Sequence, residues 1–324
     1  MSGCPPSHAA PVVSRSPQIG CDPARFPRRG IPIPASGTRD NLPPAPGKRT
    51  IVCIGCSHTY GRTWTAFTWP SLLQALLPRR DFQVLNMGRR NYGLKLNIDW
   101  YHEFAARLAP EKCILQVPLF TRQPLPGHQD DDPEHFTHNA GAFSLVRDRK
   151  VPLPEFLGQC PGLIERDVAR LGAFLQSLAQ SGVVPVVLLY REHKRVVPFL
   201  WEQQLRCHAR IEALCSRLGV LCCAGDDLSS RHLAPLGMLW DETHPNELGN
   251  LFLARRVYGA AFCPPMAQPS APRMARLQAL CHGAKLTRRI KNIFWRRQKK
   301  PRPKATSFPW EEDDGVPKDL YTVW

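Results

Sequence analysis

Two short segments, far apart in the chain, hold the residue types that nucleophilic catalysis requires: Gly55-Cys56-Ser57-His58-Thr59-Tyr60-Gly61 and Asp241-Glu242-Thr243-His244-Pro245. A serine hydroxyl is a poor nucleophile until a base takes its proton, and an imidazole serves as that base when a carboxylate fixes its other ring nitrogen. The Asp-x-x-His spacing puts acid and imidazole on neighbouring corners of one turn, where the acid accepts from one ring nitrogen and the other faces outward. Glycines flanking Ser57 allow a tight turn and leave the backbone open, so the Ser57 N–H at a helix start can face a developing oxyanion. Each piece also has a plain structural reading, Ser57 as the N-cap of the following turn and Asp241 as the cap of the last helix with His244 beside it. The chemistry requires the two segments to meet.

The chain between them alternates strands and helices. Thr50-Ile-Val-Cys-Ile-Gly55 reads as a buried strand ending in a glycine turn, which places Ser57 just past its carboxyl end. Trp69 to Leu77 reads as a helix, Phe82 to Asn86 as a second strand, Leu94 to Leu108 as a helix and Lys112 to Val117 as a third strand. After an interruption come a helix from about Ile164 to Gln180, a strand Val183 to Tyr190, a helix from about Val197 to Leu218, a short strand at Val220 to Cys222 and a last helix Glu247 to Phe262. Strands alternating with helices imply a mostly parallel sheet covered on both faces, a three-layer α/β/α sandwich over residues 49–263. In such a sheet, residues just beyond the carboxyl ends of strands gather along one edge, where sites form. The interruption at 119–162 is too long for an ordinary loop and reads as a lid or insertion. It contains His128, His135 and His138 among acidic residues, in no recognised metal-binding spacing, so no metal and no cofactor is expected.

With these blocks in this order, the sequence resembles the SGNH or GDSL-like hydrolases. The likeness rests on Gly55-Cys56-Ser57-His58-Thr59-Tyr60-Gly61, with Cys56 where the family usually has Asp, on the Asn86-Met-Gly88 to Gly93 segment after the second strand, and on Asp241-Glu242-Thr243-His244-Pro245 before the final helix. It implies the flavodoxin-like fold of that family and an acyl-ester hydrolase, removing groups such as acetyl from a carbohydrate or small-molecule ester. Ser57 would then be the nucleophile, His244 the base and Asp241 its orienting acid. The oxyanion hole would use the Ser57 N–H and a second-block glycine, Gly93 or Gly88. The family's third-block asparagine is absent from Leu115-Gln-Val-Pro-Leu-Phe-Thr-Arg122, where Gln116, Thr121 or Arg122 could supply a donor. His58, Tyr60 and Arg191 are candidate substrate contacts. The competing reading is a decayed site on the same fold, serving as a binding protein at a membrane surface or other anionic partner.

The flanks are of another kind. Residues 1–48 are rich in Pro, Gly, Ser and Arg without a period of two or 3.6, the texture of a disordered tail. Twelve cysteines stand mostly in apolar contexts, where Cys acts as a small hydrophobe, and no apolar run approaches the roughly 20 residues of a spanning helix. The expected location is cytoplasmic, with a peripheral membrane contact as an option. The net charge is +16, and between Leu248 and Trp310 there are fourteen basic residues and no acidic one. Residues 264–304 therefore form a basic segment in which Leu286, Ile290, Ile293 and Phe294 recur at helical spacing, with Gly283 as a break. An amphipathic basic helix at 272–304 fits an anionic membrane surface, nucleic acid, or plain docking on the domain. The acidic, aromatic end at 305–324 closes the chain.

Overall fold

The computed structural model describes residues 45–61, 65–90, 92–123, 152–192, 200–241, 243–262 and 269–298, apart from the side chains at 153, 289 and 291–298. Five strands, β1 (Arg49–Ile54), β2 (Phe82–Asn86), β3 (Lys112–Gln116), β4 (Val184–Leu188) and β5 (Leu221–Cys223), form one parallel sheet in the order β2-β1-β3-β4-β5. Side chains along the strands alternate between two cores. Val52, Ile54, Leu85, Cys113, Leu115 and Val187 face one side, and Ile51, Cys53, Val84, Ile114, Val186 and Leu188 the other. The first core is closed by α3 (Leu94–Trp100), α4 (Leu153–Gln180) and α5 (Leu200–Leu218). The second is closed by α2 (Trp69–Leu76), α7 (Glu247–Phe262) and α8 (Ala271–Gln298). This is the three-layer α/β/α sandwich expected, with the strand order of a flavodoxin-like sheet. Two short helices, α1 (Ser57–Tyr60) and α6 (Ser230–Leu233), stand at the edge of the sheet.

The chain departs from the expected elements in three places. The helix expected near Ile164 begins at Leu153 and runs through Pro161, so the expected interruption ends earlier. Pro161-Gly162 reads locally as a break, but Phe156 and Cys160 before it are fully buried, and that packing outweighs the local preference. Of the interruption itself, residues 124–151, with their three histidines, lie outside the described residues, as does the N-terminal tail to residue 44. The helix expected over Leu94–Leu108 is α-helical only to Trp100, then takes a π turn over Tyr101–Ala105 and a 3-10 turn over Ala106–Leu108. Its end is a left-handed Ala109, φ 43°, ahead of Pro110, whose ring disfavours further helix.

The basic segment differs most. It is one helix, α8, unbroken at Gly283, because Cys281 and Ala284 on either side are buried against the domain. Met274 and Leu277 pack beside them, whereas Leu286 and Ile290 point to solvent. Among its described side chains, three basic residues turn inward: Arg273 donates to the carbonyls of Ala75 and Leu77, Lys285 to that of Gly237, and Arg288 pairs with Glu247. No helix among the described residues is long and apolar enough to cross a membrane.

Candidate active site

The order of the sheet decides where the site forms. The crossover from β1 runs one way to β2 and that from β2 returns past β1 to β3, so the crevice opens beyond the carboxyl ends of β1 and β3. Ser57 stands there, the first residue of α1 after the turn at Gly55-Cys56. Backbone N–H groups of Thr59 and Tyr60 donate to the Cys56 carbonyl and close the turn.

The segment that carries Asp241 and His244 arrives from the far end of the domain's sequence. Trp240 donates its backbone N–H to the His244 carbonyl at 2.8 Å, Asn246 to that of Met238 at 2.9 Å, and Leu239 pairs with Pro245 in an antiparallel bridge. The tip of this narrow loop carries Asp241 and His244. His244 Nδ1 lies 2.9 Å from Asp241 Oδ2, and His244 Nε2 lies 2.9 Å from Ser57 Oγ. A carboxylate only accepts, so the proton on His244 sits on Nδ1 and leaves Nε2 as the acceptor for the serine hydroxyl. Asp241 Oδ1 accepts from the backbone N–H groups of His244 (2.7 Å) and Thr243 (2.9 Å). Burial alone would raise the Asp241 carboxyl, but the hydrogen bond and charge of His244 and these two donors hold it far below the ordinary carboxylate range. Tyr190, at the end of β4, donates its hydroxyl to the Thr243 carbonyl at 2.9 Å and ties the loop to the sheet.

Beneath Ser57 lies a buried charged cluster. The His58 ring stacks on the His244 ring, centroids 4.8 Å apart and planes 17° apart, and its Nδ1 is 3.2 Å from Cys56 Sγ and 3.6 Å from Glu192 Oε1. Arg122 reaches Glu192 at 3.4 Å, and its charge also acts on the neighbouring Cys56. Burial would raise the Cys56 thiol, but Arg122 and His58 bring it down to about 7. Burial would lower His58, but Cys56 and Glu192 raise it. Cys56, His58 and Glu192 place ligand atoms within 4.8 Å of one another, close enough to share a metal ion. The Arg122 guanidinium already supplies positive charge against two of the three, which opposes a dication there.

The candidate donors differ in what they do. Gly88 donates its N–H to Asn86 Oδ1 at 3.0 Å, which commits it, and a Cβ at this position would fall on the backbone of Thr59 and Tyr60. The Gly93 N–H has no acceptor among the described residues, and a Cβ there would fall on the Arg122 carbonyl. The Gln116 side-chain oxygen accepts from the Cys56 N–H at 3.3 Å and its amide donates to the Val117 carbonyl at 2.8 Å, so this side chain braces the turn before Ser57 from below. Thr121 is buried, its hydroxyl without a partner among the described residues. Tyr60 carries the Arg90 guanidinium over its ring, 4.8 Å from the centroid. Arg191 is engaged with Asp226, with Glu212 at 3.8 Å and with His208 at 3.4 Å, toward β5. Glu192 and the Tyr190 tie are legible in the sequence only as a polar strand end, because nothing in a strand-end sequence says which group faces the site.

Fold and site together have the form of a doubly wound α/β domain with a Ser–His–Asp constellation at its carboxyl edge. No protein-family model and no curated protein matches the sequence. Among solved structures, the chain is similar to an α/β hydrolase enzyme from the metagenome of Lake Arreo, Spain (16% identity, TM-score 0.48, covering 66% of this chain and 95% of that one). It is also similar to an acetylxylan esterase from Geobacillus stearothermophilus (13% identity, TM-score 0.47, covering 67% and 96%). A third is a protein assigned to the G-D-S-L family of lipolytic proteins, from Desulfitobacterium hafniense DCB-2 (14% identity, TM-score 0.43, covering 65% and 98%). At these scores the likeness carries no argument about the site, whose chemistry rests on its own geometry.

Proposed function

We propose that this protein is an SGNH-like serine hydrolase of acyl esters. The observation that carries the reading is the unbroken chain of contacts from Ser57 Oγ to His244 Nε2 and from His244 Nδ1 to Asp241, all at hydrogen-bond distance. Ser57 Oγ attacks the ester carbonyl carbon while His244 Nε2 takes its proton. The carbonyl oxygen becomes an oxyanion facing the N–H groups of Ser57 and Gly93. His244 returns the proton to the departing alkoxy oxygen, the carbon–oxygen bond breaks, and an acyl-serine and an alcohol result. Water then repeats the sequence with His244 as base, releasing the carboxylic acid and restoring Ser57. Asp241 stays ionised throughout, holding the ring and stabilising the imidazolium.

The acyl group is short in this reading, with acetyl on a carbohydrate or other small alcohol as the preferred case. Ser57 is only 7% exposed, which suits a small acyl group better than a long chain. The test is hydrolysis of p-nitrophenyl acetate against the butyrate and octanoate esters, followed by acetate release from acetylated oligosaccharides. Turnover should fall with chain length and vanish in Ser57→Ala. Turnover that persists in Ser57→Ala would remove the assignment.

A further inference from the structure

The acid–base loop lies outside the sheet, and its own ladder is a single bridged pair, Leu239 and Pro245, flanked by two hydrogen bonds. What holds it from outside, besides the Tyr190 hydroxyl, is the basic helix. Arg288 of α8 lays its guanidinium 3.6 Å from the centroid of the Trp240 ring, next to Asp241 in the chain. The same guanidinium lies 3.3 Å from Glu247 Oε1, and Glu247, the first residue of α7, is fully buried. Neither Glu247 carboxylate oxygen has a hydrogen-bond partner among the described residues, so Arg288 is the counter-charge that makes its burial tolerable. One turn earlier on α8, Lys285 donates to the Gly237 carbonyl at 2.6 Å, at the base of the same loop. Asn246 donates to the carbonyls of Gly237 and Leu239 at 2.8 and 3.1 Å, so base, arm and exit of the loop are all fastened.

Resting on the hydrolase reading above, we propose that Arg288 is a positioning residue of the active site: through Trp240 and Glu247, α8 fixes the loop that presents His244 and Asp241 to Ser57. A planar cation stacked on an indole resists both sliding and tilting, which a flexible ammonium does not. Displacing catalytic groups by about 1 Å can cost ~10²-fold in rate. The basic helix is on this account part of the catalytic unit and not a detachable anchor.

The test uses the full chain. Trp240→Leu removes the platform without stripping a buried charge of its partner. It should lower kcat by about tenfold to a hundredfold with KM held within about threefold, since geometry and not substrate binding is disturbed. Trp240→Phe keeps a ring under the guanidinium and should recover most of the loss. Arg288→Lys keeps a counter-ion for Glu247 but loses the stack, and should fall between the two. Because Arg288→Ala could fail to fold, the double variant Glu247→Gln/Arg288→Met removes both charges together and should reproduce the kcat loss. Amide hydrogen exchange supplies a readout independent of turnover: residues 238–246 should exchange faster in Trp240→Leu while β1 to β4 keep their protection. Unchanged kcat and unchanged loop exchange in a folded Trp240→Leu protein would overturn the proposal, as would a uniform loss of protection across the sheet. If the wild-type protein hydrolyses no ester, the hydrolase reading falls by itself, and the exchange data still decide whether α8 orders the loop.

Discussion

The two halves of the candidate site are built by different means. The nucleophile turn is held by the sheet it grows from: Gln116 at the end of β3 braces Cys56, Asn86 of β2 donates to the Thr59 carbonyl at 3.0 Å, and Glu192 beyond β4 meets His58. These supports stand on parallel strands of one sheet, so forming the sheet forms them. The acid–base loop has no such foundation and leans on Tyr190, on the start of α7 and on α8, the last helix described. A distance of 2.9 Å between Ser57 and His244 thus joins a rigid half to a half positioned by peripheral contacts. Loss of function should therefore come from the second half at a smaller cost to the fold.

The largest effects test whether the halves act as one unit. Ser57→Ala and His244→Ala should each reduce kcat by at least ~10⁴-fold, and the double variant should lose little more, because nucleophile and base fail together. Losses that multiply in the double variant would show that the two residues work independently. Next comes the choice between the two glycines of the nucleophile half. Gly93→Ala forces the backbone away from the Arg122 carbonyl and should cost ~10²-fold in kcat if its N–H faces the oxyanion. Gly88→Ala presses on the turn at Thr59 and Tyr60 and should cost thermal stability first. A folded Gly88→Ala protein with the larger loss in kcat would reverse the assignment.

Much of this division is legible in the amino-acid sequence. Strand runs at Ile51–Ile54, Cys113–Leu115 and Val186–Leu188 are apolar on both faces, the mark of a covered parallel sheet, and the order of blocks puts Ser57 and His244 at its carboxyl edge. The supports are not legible there, for a physical reason. An arginine at helical spacing looks the same in sequence whether it faces water or a buried carboxylate, so Arg273, Lys285 and Arg288 read as one solvated or membrane-facing stripe. Pairing Arg288 with Glu247 needs the packing of α8 on α7, which no local pattern encodes. Gln116 likewise reads as a shifted oxyanion donor because its place at a strand end suits both roles, and only its bonds to the Cys56 N–H and the Val117 carbonyl separate them.

A smaller effect is expected where the halves touch. Tyr190 lies two residues past the end of β4, and its hydroxyl is the tie to the Thr243 carbonyl. Tyr190→Phe keeps the ring against His58 and removes only that donor, leaving a carbonyl to find water. The expected cost is about 1 kcal/mol in stability, with a drop of a few-fold in kcat. Thermal unfolding and initial rates on p-nitrophenyl acetate measure both. A variant with wild-type kcat would show that the loop is held by α8 without help from the sheet.

The smallest effect at neutral pH concerns Cys56, in the rigid half. In the folded protein its thiol is buried, which by itself would raise it, yet Arg122 and His58 bring it down to about 7, against 9.0 for an ordinary thiol. For an acid whose folded value is depressed, the stabilisation is complete above the unfolded value and disappears as pH falls through the folded one. The thiolate should therefore add little at pH 6, begin to contribute near pH 7 and reach its full share near pH 9. Two units correspond to at most ~2.7 kcal/mol, and less than half of that is present at pH 7.5. Cys56→Ser cannot ionise in this range. The difference in melting temperature between wild type and Cys56→Ser should widen steadily from pH 6 to pH 9, reaching roughly 5 °C for a chain of this size. The catalytic rate should change less than the stability, because the variant leaves Ser57, His244 and Asp241 untouched. A melting difference that stays constant with pH would mean that Cys56 is held as a neutral thiol, and that Glu192 alone balances His58 and Arg122 beneath the nucleophile.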